Sequence, residues 1–152
     1  MTPTEPILVA DSLVKTYRTK GAGFGHGTVS AVDGVSLTLG RGESLGIVGE
    51  SGCGKSTLAR MLVGLEAPTS GSLTFEGRDI TGLHGRQRRA VRRKVQMIFQ
   101  DPYTSLNPRL PIIDIIGEPL VVHRIVRKRT ELRDRVAGLL EQVNLAPEMM
   151  SR

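Results

Sequence analysis

The sequence predicts an α/β fold built around a phosphate-binding loop, with a small antiparallel β layer before it and helices after it. Three observations carry this. Gly49-Glu50-Ser51-Gly52-Cys53-Gly54-Lys55-Ser56 fits the pattern G-x-x-x-x-G-K-[ST]. The apolar residues Leu45, Ile47 and Val48 lead into it and read as a short buried strand. Leu58, Met61, Leu62 and Leu65 follow at i, i+3, i+4 and i+7, one apolar face of a helix. A strand, a glycine-rich turn and a helix N-terminus are the context the pattern requires.

The chemistry follows from the spacing. Gly49, Gly52 and Gly54 let the backbone curl so that successive N–H groups converge on an anion. The helix beginning near Lys55 adds its unpaired N–H groups and the positive end of its dipole. Lys55 supplies a mobile charge for β- and γ-phosphates, and Ser56 a hydroxyl for Mg²⁺. The loop reads as a nucleoside triphosphate site and predicts a P-loop NTPase fold.

The flanking elements are read in order. Ile7 to Tyr17 is rich in β-formers and predicts a strand, followed by a flexible glycine loop over 18–28. Val29–Val32 and Val35–Leu39 predict two β-segments divided by a turn at Asp33-Gly34. After the Lys55 helix, 68–71 predicts a turn and Ser72–Phe75 a strand stopped by Gly77. The basic run 84–94 has no interleaved aromatic and little apolar face, which predicts a solvated helix or loop. Val95 to Phe99 predicts a buried strand ending at Gln100-Asp101-Pro102, and 103–109 is turn-rich. Leu132, Val136, Leu139, Leu140 and Val143 then mark the inner face of an amphipathic helix.

Composition bounds the function. The chain has 152 residues and a net charge of +6, with −1 over residues 1–76 and +7 over 77–152. A basic half admits nucleic acid, an acidic membrane surface or an acidic partner. One cysteine, Cys53, excludes an intrachain disulfide. Met1 to Pro6 leads into no signal-peptide pattern, and no apolar run approaches the roughly 20 residues that span a bilayer. No N-K-x-D guanine pattern accompanies the loop.

Three stretches together resemble the ATP-binding subunit of an ABC transporter: 31–65, 68–80 and VQMIFQDPYTSLNPR at 95–109. The last is similar to the branch serving dipeptide, oligopeptide and nickel importers. The resemblance runs from about Leu8 to Arg152 and implies an ABC-type nucleotide-binding domain. Residues 7–100 would be its β layer and P-loop core, and 101–152 the Q-loop and the start of a helical subdomain. The resemblance implies that Gly49, Glu50, Ser51, Gly52, Cys53, Gly54, Lys55, Ser56 and Thr57 wrap the phosphates of ATP and that Ser56 ligates Mg²⁺. It makes Gln100 the Q-loop glutamine, reaching metal and attacking water; from the residues alone Gln100 is a polar strand end. It makes Tyr17 the aromatic that stacks on adenine; the plain alternative is a strand-end tyrosine with a solvated hydroxyl. The implied partners are a second ATP-binding subunit, transmembrane permease subunits and, indirectly, a solute-binding protein, with no nucleic acid. The implied location is the cytoplasmic face of the membrane.

The family's signature motif, its second acidic motif and its switch histidine do not occur among the 152 residues. The chain therefore reads as an incomplete, N-terminal part of such a subunit, expected to bind ATP without turnover and to fold poorly alone. Two other readings stand beside this one: a nucleotide-binding fragment that sequesters partner subunits, and a basic P-loop protein acting on nucleic acid.

Overall fold

A computed structural model describes residues 5–20, 26–100 and 106–152. The centre of the glycine loop (21–25), the first four residues, and the stretch 101–105 after Gln100 lie outside the described residues. The chain divides into two compact units, residues 1–97 and 98–152.

The first unit is built on β1 (Pro6–Lys20), which pairs antiparallel with β2 (His26–Gly40) on one edge and β3 (Ser70–Phe75) on the other. A two-residue strand β4 (Arg78–Asp79) completes a sheet of order β2-β1-β3-β4. Leu8 and Ala10 point to one face by strand alternation, yet the next buried residue is Leu13, three positions on. The register explains this. Ala10 pairs with Leu37 and Leu13 with Val35, so β1 carries one extra residue there, beside Ser12 at φ +49°. The Ser12 N–H donates to Ser36 Oγ at 2.8 Å.

The predicted turn at Asp33-Gly34 is instead a second bulge within one continuous strand. Leu13 pairs with Val35 and Lys15 with Val32, both on β1, so the chain does not reverse. Gly34 at φ +64° supplies the left-handed residue that a bulge needs as much as a tight turn does. The predicted loop over 18–28 is likewise narrower than composition suggests. Arg18, Thr19 and Lys20 pair with Thr28, Gly27 and His26, extending the hairpin. Glu76 and Gly77, both at positive φ, form the two-residue turn between β3 and β4, where sequence gave only a strand stop.

Helix α1 (Lys55–Leu62) buries Leu58 and Met61 against Leu8, Ala10, Leu13, Val32, Leu73, Phe75 and Ile80. The predicted residue Leu65 lies past the helix end and is exposed. Of the solvated helix or loop expected over 84–94, the structure has a helix, α2 (Gly85–Arg92), with no fully buried residue and Val91 packed against the core. The two predicted buried strands are corrected. Residues 43–50 and 95–99 form no strand, and Val48 (97% exposed) and Ile98 (92%) lie open to solvent. A short apolar run marks a strand buried on both faces, which needs ladder partners. Among the described residues no strand pairs with either run.

In the second unit, α3 (Ile112–Val122) packs on α4 (Arg129–Gln142), closed by a 3₁₀ turn over Pro147–Ser151. Leu132, Val136 and Leu140 are buried with Val126 and Met150, as the α4 spacing predicts. Val143 falls beyond α4 and is exposed. No described helix is long and apolar enough to cross a membrane.

Candidate phosphate-binding site

The loop between Gly49 and α1 is shaped by backbone conformations that side chains would oppose. Gly52 and Gly54 sit at φ +80° and +97°. A Cβ on Gly54 would lie 1.9 Å from the Ala31 carbonyl oxygen, so the loop approaches β2 backbone to backbone. A Cβ on Gly49 would lie 2.8 Å from Cys53 Sγ. Gly54 is the N-cap of α1 and its carbonyl accepts from the Leu58 N–H at 2.9 Å. Having no side chain, it leaves the first-turn N–H groups uncapped.

Lys55 closes the other side. Its Nζ donates to the Gly49 carbonyl at 2.7 Å and the Glu50 carbonyl at 2.5 Å, and lies 3.6 Å from Cys53 Sγ. The ammonium thus spans the loop beside the free N–H groups of the helix. Ser56 is exposed at the start of α1 and Thr57 is half-buried. The donor set of backbone N–H groups, one ammonium and one hydroxyl suits an oxyanion such as a phosphate. Among the described residues no three His, Cys, Asp or Glu side chains cluster as a metal site. A cation here would rest on Ser56 and on the phosphates themselves.

Tyr17 lies on the same stretch of sheet. It pairs with Val29 on β2, two residues from Ala31, against which Gly54 rests. Tyr17 is 37% exposed, but its hydroxyl is not simply solvated: it donates to Glu66 Oε1 at 2.5 Å. The plainer reading has this hydroxyl solvated at a strand end; it is instead held by Glu66, and Tyr17 lies within β1. Lys15 Nζ joins the same carboxylate at 3.1 Å and sits 5.3 Å from the Tyr17 ring centroid. The Tyr17 hydroxyl, followed by Lys15, holds the Glu66 carboxyl below its ordinary pKa. The sequence reading missed Lys15 and Glu66, because no motif marks them and they are 51 positions apart. Gln100 is exposed and belongs to the second unit, whereas Tyr17 and the loop belong to the first.

Comparison with known proteins follows this geometry. Residues 32–151 match the family model described as ABC transporter. The chain is 48% identical over 149 residues to the di/tripeptide transport ATP-binding protein DppF of Pseudomonas aeruginosa, covering 97% of this chain and 46% of that protein. It is 49% identical over 125 residues to the oligopeptide transport ATP-binding protein OppF of Salmonella typhimurium, covering 82% and 37%. The chain thus spans less than half the length of these relatives. Among solved structures it resembles the dimeric ABC transporter cassette MJ0796, with TM-score 0.76 at 26% identity over 95% of this chain and 60% of that one. The same cassette bound to ADP and Pi gives TM-score 0.74 at 25% identity, with equal coverage. The sheet, the loop and the helices are part of the ABC-type nucleotide-binding fold, and the chain belongs to the ABC transporter family.

Proposed function

We infer that Gly49–Thr57 holds the triphosphate of ATP with Mg²⁺, and that the chain is part of the ATP-binding subunit of an importer for peptides. The observation that carries this is Lys55 Nζ, held on the Gly49 and Glu50 carbonyls beside the uncapped N-terminus of α1. Bound there, ATP would supply a phosphoanhydride bond and Mg²⁺ would supply neutralising charge for its phosphates, with Ser56 as the protein's ligand. Phosphate oxygens entering the loop exchange the two carbonyl acceptors of Lys55 for charged ones, a stronger pairing. Gly52 and Gly54 let the backbone approach, and the α1 dipole favours the added charge. Ser56 supplies the hydroxyl for the cation. Tyr17 offers a ring to the base; the resemblance would give Gln100, in the second unit, the role of the Q-loop glutamine.

The importer assignment is supported by the peptide-transport names of the relatives at 48–49% identity. In it the chain works at the cytoplasmic face of the membrane with a second ATP-binding subunit and permease subunits, and indirectly with a solute-binding protein. Calorimetric titration with Mg-ATP tests the site: Lys55→Ala weakens binding about tenfold or more. Unchanged affinity in that variant removes the reading. Uptake of labelled dipeptides, lost when the gene is disrupted and restored by the intact gene, tests the importer assignment.

A further inference from the structure

Tyr17 does not stand alone on its strand. Its hydroxyl is held by Glu66, and Glu66 is itself held from three sides. Through its backbone it closes α1, since the Leu65 and Glu66 N–H groups donate to the Arg60 carbonyl at 2.8 and 3.2 Å. Through its carboxylate it meets Lys15 Nζ, which also donates to the Ala67 carbonyl at 2.7 Å. The segment just beyond is fastened to β1. The Thr69 N–H donates to the Val14 carbonyl at 2.7 Å, and the Thr16 N–H donates to Thr69 Oγ1 at 3.0 Å. The turn carrying Glu66 is therefore fixed to the strand carrying Tyr17 by bonds on both sides of Lys15.

We propose that Glu66 and Lys15 are positioning residues for nucleotide recognition. They fix the Tyr17 ring to receive the base, while α1 presents the phosphate loop at its other end. The proposal rests on the reading of Tyr17 as the base platform. A tyrosine on a strand has two soft torsions, and a hydroxyl held on an immobile carboxylate removes most of that freedom before the ligand arrives. Lys15 stands 5.3 Å from the ring centroid and pairs with Glu66, so a base stacking on Tyr17 would take the ring face away from Lys15. Because Lys55 begins α1 and Glu66, four residues past its end, is tied back to the Arg60 carbonyl, this eight-residue helix links the phosphate site to the base platform.

The test separates base from phosphate. Titrations of the 152-residue chain with Mg-ATP and with Mg-tripolyphosphate are compared for wild type and for Glu66→Ala, Glu66→Gln, Tyr17→Ala and the double variant Tyr17→Ala/Glu66→Ala. Glu66→Ala is expected to weaken ATP about fivefold while leaving tripolyphosphate within about twofold, since only the stacking contribution is lost. Glu66→Gln, whose amide oxygen still accepts the Tyr17 hydroxyl, recovers most of the loss. In the double variant the ATP affinity matches that of Tyr17→Ala alone. Equal weakening of ATP and tripolyphosphate by Glu66→Ala, no weakening of ATP, or additive losses in the double variant would each overturn the proposal. If Glu66→Ala does not fold, Glu66→Gln decides: near-wild-type ATP:tripolyphosphate discrimination upholds positioning, and its loss contradicts it. Tyr17→Ala without effect on ATP refutes the base platform itself, and failure of wild type to bind tripolyphosphate refutes the phosphate site. The three failures are distinguishable.

Discussion

At the scale of the residue, the site depends on a few positions where conformation leaves no choice. Gly54 combines φ +97° with a carbonyl 1.9 Å from where a Cβ would sit, so Gly54→Ala must displace either the loop or β2. The expected cost is about 2–3 kcal/mol in urea unfolding, with ATP affinity lost in the same variant. Glu66 makes a pH-dependent contribution. Its folded pKa lies below the ordinary 4.5, chiefly through the Tyr17 hydroxyl. The stabilisation is complete above that ordinary value and is lost as pH falls through the lowered one. Urea unfolding at a series of pH values from 7 to 3 should show an acid limb that Tyr17→Phe makes shallower, with about 0.5–1 kcal/mol lost at pH 7. Glu76, lowered mainly by its hydrogen bond with Lys94, follows the same sign from the surface. The residues of the loop were legible because they form a contiguous pattern with one physical purpose. Tyr17's partners were not, since Lys15 and Glu66 meet only after the sheet and α1 are assembled.

Elements show where local chemistry is ambiguous. Asp33-Gly34 offers a left-handed glycine, and that property serves a bulge and a turn equally; only pairing with β1 on both sides decides. Glycines at 21, 23, 25 and 27 suggest a loop, yet Gly27 lies in the ladder opposite Thr19. Helices α1 and α4 were easier to read because their apolar spacing is long enough to fix a face; α3 was not read, since Pro119 and Asp114 interrupt its apolar run. Their ends are set by left-handed residues. Gly64, Arg124 and Asn144 each follow a helix at positive φ, and the N–H groups of Leu65, Ile125 and Leu145 reach back to the carbonyls of Arg60, Leu120 and Leu140. Leu62 and Leu139 remain only half-buried, so the inner faces are narrower than the spacing alone implies. In the second unit α3 meets α4 at Gly117, where a Cβ would fall 3.0 to 3.3 Å from three Leu132 side-chain atoms. Gly117→Val should destabilise this unit by about 1–3 kcal/mol through overpacking, read as a lower urea midpoint of the α3–α4 signals in NMR. Leu140→Ala should cost about 2–5 kcal/mol by the same measurement.

For the whole molecule, the main difference between sequence and structure concerns the two apolar runs at 45–48 and 95–99. Their composition is that of sheet interior, but burial of such a strand is supplied by neighbours rather than by the strand. Val48 and Ile98 are therefore among the most exposed apolar residues. Val48→Ser and Ile98→Ser should each change stability by no more than about 0.5 kcal/mol while lowering binding of a hydrophobic dye. A loss of several kcal/mol would mean that these side chains are buried in solution. The claim on which the rest depends is that Gly49–Thr57 wraps a triphosphate. Amide NMR during titration with Mg-ATP tests it most directly. The account predicts large shifts and slowed exchange concentrated at Gly49 to Thr57, abolished by Lys55→Ala. Shifts centred elsewhere, or a response that survives Lys55→Ala intact, would contradict it.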